Sequence, residues 1–142
     1  MSGLLRLLRD RRAASAVEFA LLAPIFFAMM FGVVAVGIYM QNYNAVRSLA
    51  GDAARFAAVE YQKNNKITAE TLETNIQAMG ISKPYFLSNT RLVVDVNEVT
   101  PARVNGAREF DLDISYALPD IIGGIAIDNI TLTYSRPLFV LS

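Results

Sequence analysis

"FALLAPIFFAMMFGVVAVGIYMQNYNAVRSLAGDAARFAA", residues 19–58, holds no proline after Pro24 and changes character halfway along. Its first 22 residues, 19–40, carry no charge. That is enough to cross the hydrocarbon core of a bilayer as one helix, which takes ~20 apolar residues. From Gln41 the run continues without a break signal but becomes amphipathic. Val46, Leu49, Ala50, Ala53, Phe56 and Ala57 recur at helical spacing, while Asp52 and Arg55 sit three apart on what reads as the solvated side. One helix from about Ala14 to Glu60 is therefore expected, ~70 Å long at 1.5 Å per residue. Its lower half would lie in the membrane and its upper half would stand out as a stalk, with Gly51 as the weak point.

The flanks set the orientation. A cleavable secretory signal competes for this segment, but its apolar core usually runs ~7–15 residues and ends at a small-x-small site. Here the run is longer and "GIYMQNYN" offers no such site, so an uncleaved span is expected. Arg6, Arg9, Arg11 and Arg12 face a single Asp10 before the span, whereas residues 41–54 carry only Arg47 and Asp52. Arginine-rich short flanks stay cytoplasmic, which places the N-terminus inside and the rest of the chain across the membrane. Within the span, Ala16, Ala20, Pro24, Ala28 and Gly32 recur every four residues. Such a row lets a second helix approach closely, although Ala and Gly are also common in membrane helices without any such role. Pro24 removes a backbone donor and should loosen the helix around Ala20. Glu18 is the anomaly. An ionised carboxylate costs ~2.5–3.5 kcal/mol at the centre of a membrane helix and less near the interface, yet this one adjoins the charge-free run.

Composition excludes much chemistry. The chain has 142 residues, no net formal charge, no cysteine and no histidine. Disulfides, thiolate nucleophiles, imidazole zinc sites and hydrolytic triads are therefore out. An enzyme would have to work with carboxylates, lysine and tyrosine, and no constellation of these stands out. Neither a catalytic residue nor a metal or other cofactor is expected.

Beyond the stalk, "KNNK" (63–66) is a polar break. Thr68 reads as an N-cap, Glu70 falls in the first turn, and Leu72, Ile76 and Met79 form an apolar stripe closed by Gly80. After the loop "SKPYFLSN" come three strand patterns. Residues 91–99 put Leu92, Val94 and Val96 on one face. Residues 108–118 do the same with Phe110, Leu112, Ile114, Tyr116 and Leu118, and residues 128–136 with Ile130, Leu132 and Tyr134. Asn105-Gly106 supplies a turn, and Pro119 with Gly123-Gly124 marks the next connection. The expected fold is α+β: a long N-terminal transmembrane and stalk helix packed on a small three-stranded antiparallel sheet, with one short extra helix. Glu109, Asp111 and Asp113, with Asp95 beside them, read as a solvated acidic strand face rather than a calcium site, and such a face discourages nucleic-acid binding. "DIIGGIAID" (120–128) is very apolar for a connection, which suits an extra inward strand better than an exposed contact patch.

"DRRAASAVEFALLAP", the span that follows it and "QNYNAVRSLAGDAARFAA" resemble the TadE-like family, minor pilins or pseudopilins of the Tad/Flp subclass of type IV pili. The resemblance covers residues 10–58, and the outer domain fits only in general plan. It implies a pilin-like subunit whose residues 1–13 are a cytoplasmic leader, whose residues 14–62 are the transmembrane and stalk helix, and whose residues 63–142 form a periplasmic α+β domain. It implies a prepilin peptidase cutting between Ala13 and Ala14, with Glu18 at mature position five pairing with a subunit's new N-terminal amine. Ala13 stands where the family usually has glycine, and Ala35 where members often carry a second glutamate. The implied setting is the bacterial inner membrane, with later incorporation into a pilus. The implied partners are TadF- and TadG-like minor pilins, the Flp major pilin, the peptidase and the inner-membrane assembly platform. The rival class is a signal-anchored periplasmic binding module or enzyme.

Overall fold

The computed structural model describes residues 11–62, 67–119 and 130–141. Two helices precede one sheet: α1 (Arg11–Gln62), α2 (Ala69–Ile81), β1 (Leu92–Val99), β2 (Ala107–Ala117) and β3 (Thr131–Leu141). The sheet is antiparallel throughout, in the order β1-β2-β3. This is the α+β fold expected from the sequence. The "DIIGGIAID" stretch (120–128) lies outside the described residues. The chain divides into two compact units, one ending at Ile38 and the other beginning with Tyr39, and the assigned helix α1 contributes to both.

In the second unit, the amphipathic stripe of α1 is the floor of the core. Val46, Leu49, Ala50, Ala53 and Ala57 are buried, and Phe56 is half-buried. They share one cluster with Leu72 and Ile76 of α2 and with the inward face of the sheet. That face comprises Leu92, Val94 and Val96 of β1, Phe110, Leu112, Ile114 and Tyr116 of β2, and Leu132, Leu138 and Val140 of β3. Three of the five fully buried α1 residues are alanines, which leave room for the leucine, isoleucine and phenylalanine side chains opposite.

Helix α2 starts where its sequence says it should. The Thr68 hydroxyl accepts from the Thr71 N–H at 3.3 Å. Ile67 before the cap and Leu72 in the second turn are both buried, the arrangement of a hydrophobic staple. Its end differs from expectation. Gly80 lies inside the helix, and Ser82 closes it, its hydroxyl donating to the Ala78 and Met79 carbonyls at 2.9 and 3.0 Å. Gly80 is there for space: a Cβ on it would stand 2.5 Å from Leu92 Cδ2 and 2.9 Å from Leu49 Cδ2, both in the core. It is the point where α1, α2 and β1 meet.

The third strand is shifted toward the C-terminus. Ile130, expected inward, precedes the strand and is exposed, whereas Leu138 and Val140 are buried past the point where Arg136-Pro137 reads as an end. β3 is an edge strand, and proline is tolerated there because one side of the strand has no ladder to donate to. The connection between β1 and β2 spans seven residues, 100–106, and closes on Gly106 at φ 80°, the left-handed conformation that Asn-Gly favours.

The loop after α2 is tied back to α1. Tyr85 donates its hydroxyl to Asp52 Oδ2 at 2.6 Å, so Asp52 serves a tertiary contact. Burial, and then the hydrogen bond to Asp52 and its charge, push the Tyr85 hydroxyl up from 10.0 to about 12. Because the folded value lies above the unfolded one, this contact stabilises fully below pH 10 and is lost as pH rises toward 12.

Two measurements check this packing. Both Gly51 and Gly80 lie inside helices, and a Cβ on Gly51 meets nothing within 4 Å. Gly51→Ala should therefore stabilise the outer unit by ~0.5–1 kcal/mol through helix propensity. Gly80→Ala should destabilise it, because overpacking costs ~1–3 kcal/mol against the same gain. Thermal midpoints of the detergent-solubilised chain that move in the same direction would show that Gly80 has room. In a pH series, the midpoint gap between the wild type and Tyr85→Phe should be widest below pH 10 and close as pH approaches 12. A gap that stays constant across that range would mean that the Asp52 contact contributes nothing.

Candidate functional site

The lower half of α1 has the opposite character to the upper half. Between Ala14 and Met40 every residue is exposed except the half-buried Ala23, Ala35 and Ile38. Phe19 is 71% exposed and Val33 75%. Phe27 contacts Phe26 edge-on at 6.0 Å between ring centroids and stacks on Phe31 at 6.5 Å, so even the helix's own aromatic contacts leave the band open. Contiguous apolar surface of this extent marks a membrane or a protein partner. Among the described residues α1 is the one helix long and apolar enough to cross a membrane, and it fits a single-pass anchor. Tyr39 and Tyr43 stack one turn apart at the end of the charge-free run, 6.4 Å between centroids, where amphipathic rings favour the membrane–water interface.

The residues singled out from the sequence all fall on this half. Ala13 and Ala14 lie in the first turn of α1. Glu18 is exposed, and among the described residues no side chain holds its carboxylate by a hydrogen bond or ion pair. Ala16, Ala20, Pro24, Ala28 and Gly32 are exposed as well, and the space around Gly32 is open. The helix is assigned without interruption through Pro24. Among the described residues, Glu18 and the row from Ala16 to Gly32 are not brought together with a partner side chain.

The acidic face of the sheet is only partly the solvated one expected: Asp95 is exposed, and Asp111 and Asp113 are half-buried. Glu109 points to the outer face yet is completely buried, next to its cross-strand neighbours Val99 and Phe139. The reason is Arg103, in the connection between β1 and β2. Its backbone N–H donates to Glu109 Oε2 at 2.7 Å. Its Nε sits 2.5 Å from Oε1, at an angle too poor for a hydrogen bond, and its Nη2 reaches Asp111 Oδ1 at 3.0 Å. Asp113 accepts from the Ser135 hydroxyl. A buried carboxylate needs a counter-charge and donors, and this connection supplies both. One residue further along β2's start, Arg108 forms a bidentate pair with Glu98, 2.8 Å for each bond, and covers the Phe110 ring at 5.1 Å. Those bonds hold the Glu98 carboxyl below the usual carboxylate range and raise Arg108. Arg103 and Ser135 thus engage Glu109, Asp111 and Asp113 and help to close the hairpin.

The candidate surface is therefore the lower half of α1, with Glu18 near its N-terminal end. No curated protein and no solved structure matches the chain. Residues 13–55 match the family model described as TadE-like protein, a stretch that takes in Ala13, Glu18, the small-residue row and the start of the amphipathic half. Over that stretch, the chain is similar to the TadE-like family.

Proposed function

We propose that this protein is a minor pilin or pseudopilin, a structural subunit of a Tad-type pilus, and that it works by packing rather than by catalysis. The observation that carries the proposal is Glu18: an exposed carboxylate that no side chain among the described residues holds, beside an exposed apolar helix, within the stretch that matches the TadE-like family. A prepilin peptidase cuts between Ala13 and Ala14 on the cytoplasmic side, leaving a cationic amine on Ala14. The Glu18 carboxylate of the same or a neighbouring subunit neutralises that amine, turning two charges that are costly beside hydrocarbon into one pair. The pair sets the axial register, and the row Ala16, Ala20, Pro24, Ala28 and Gly32 lets neighbouring helices approach.

Processing also changes the charge. Loss of residues 1–13 removes four arginines and Asp10, leaving nine Lys+Arg against twelve Asp+Glu. The outer unit then faces the periplasm and binds other minor pilins, with the Flp major pilin and the inner-membrane platform as the remaining partners. A signal-anchored enzyme would call for paired buried acids in a cleft. The buried acid of this sheet, Glu109, is already held by Arg103.

The N-terminus tests processing. Mass spectrometry of protein from cells with the peptidase should give a chain beginning at Ala14, and Ala13→Phe should leave the leader attached. An intact Met1 terminus in pilus-forming cells would refute the cut. Glu18→Gln tests the pairing. Insertion should survive, since the span and the arginine flank determine it. Cutting should survive too, while pilus formation and co-purification with partner pilins should fail, because a stranded Ala14 amine costs several kcal/mol. Normal piliation in cells carrying only Glu18→Gln would instead favour the plain anchor, for which loss of an expensive charge is harmless.

A further inference from the structure

We infer that the loop between α2 and β1 is a membrane-surface foot: Phe86, with Lys83 beside it, seats in the phospholipid headgroup layer where α1 leaves the bilayer. The inference rests on the reading of residues 19–40 as a membrane span, and it adds a second point of contact with the lipid.

Three observations lead there. The first is Phe86 itself, which is 68% exposed and has φ 52°. An aromatic residue in the left-handed region is strained, and glycine or asparagine ordinarily fills such a position. An exposed ring in a strained backbone is unfavourable twice over on a surface facing water. The backbone is nevertheless held there: the Tyr85 and Phe86 N–H groups both donate to the Ser82 carbonyl at 3.0 Å, and the Leu87 N–H donates to that of Gly80 at 2.9 Å. Tyr85 is fastened to Asp52 and Leu87 is buried, so the residues on either side turn inward while Phe86 turns out.

The second observation is position along the chain. Pro84 and Tyr85 line one groove with Gln41, Asn44, Ala45 and Ser48. Gln41 is the first residue after the charge-free run, and Asn44 follows it by ~4.5 Å of helix rise. The headgroup layer is ~5–8 Å deep on each side of the hydrocarbon, which matches that level.

The third is chemistry. Tyr39 and Tyr43 present a stacked aromatic pair at the same end of the span, and Lys83 and Arg47 are exposed cations close by in sequence to Phe86 and the groove. Aromatic rings with cationic neighbours are the combination that partitions into the headgroup region of a bilayer containing anionic lipid.

The chain contains no tryptophan and no cysteine, so single reporters can be placed in the full-length protein. Three variants, Phe86→Trp, Phe27→Trp and Phe139→Trp, are reconstituted into vesicles of phosphatidylethanolamine and phosphatidylglycerol carrying nitroxide labels at either the headgroup or deep in the acyl chain. Phe139 is an exposed ring on β3 and serves as the comparison. The indole at position 86 should be quenched by the headgroup label and shifted to the blue, that at 27 by the deep label, and that at 139 by neither. Nitroxide attached at Lys83→Cys gives a second reading, with loss of accessibility to an aqueous relaxation agent expected once lipid is present. Failure of position 27 to meet the deep label would overturn the span and the foot together. Quenching at 27 with positions 83 and 86 as water-exposed as 139 would overturn the foot alone. Shielding of 86 from water without lipid quenching would also overturn it, showing that protein covers the loop.

Discussion

A single helix that must satisfy two solvents is the constraint on which this structure depends. Backbone groups in hydrocarbon have to be paired within their own segment, so residues 19–40 have to be helical if they are to cross a membrane. The same helix then continues into an aqueous compartment, where it needs a buried face to remain ordered. Its side chains change accordingly. From Phe19 to Met40 it is apolar all round and, apart from the half-buried Ala23, Ala35 and Ile38, exposed, and above Ala45 it narrows to a stripe of Val46, Leu49, Ala50, Ala53 and Ala57 that is fully covered. The alanines matter as much as the leucine. A small stripe lets large side chains such as Phe110, Leu112 and Ile114 fill the space, and it is why Gly80 is required where α2 comes closest.

The parts of this arrangement that follow from periodicity were readable without coordinates. The charge-free run, the stalk stripe, the Thr68 cap and the inward faces of β1 and β2 depend on local spacing, and each is where its pattern puts it. The differences arise where a distant residue decides. Gly80 looks like a helix stop because glycine commonly is one, but Leu49 and Leu92, far away in sequence, determine its role. Glu109 looks solvated because its neighbours on the outer face are acidic, and nothing in the alternation reveals that Arg103 returns over it. Pro137 looks like the end of a strand, a signal whose meaning depends on whether the strand is central or at the edge. Phe86 gives no sequence sign at all: its interest comes from a backbone angle and an exposure.

The candidate site divides in the same way. Glu18 and the small-residue row could be found from the sequence because a charge beside hydrocarbon and a four-residue repeat are local anomalies. In the proposed subunit their partners belong to other chains, which the geometry of one chain does not record. The fold contributes a rigid, tied outer unit. The Tyr85–Asp52 bond fixes the loop after α2 to α1, and the Arg103 and Arg108 pairs close the hairpin on either face of the sheet's end.

The two-solvent helix can be measured directly by scanning single cysteines from position 19 to 58 of the otherwise cysteine-free chain and recording reaction with a water-soluble maleimide in intact vesicles. Positions 19–38 should be unreactive around the whole circumference. Reactivity should begin near Gln41 and then rise and fall with the helical repeat, silent at positions 46, 49, 50, 53 and 57. A helical rhythm of reactivity within 19–38 would place that segment against water, and uniform reactivity from 45 to 58 would show that the stripe is not a core. Either result would contradict the account.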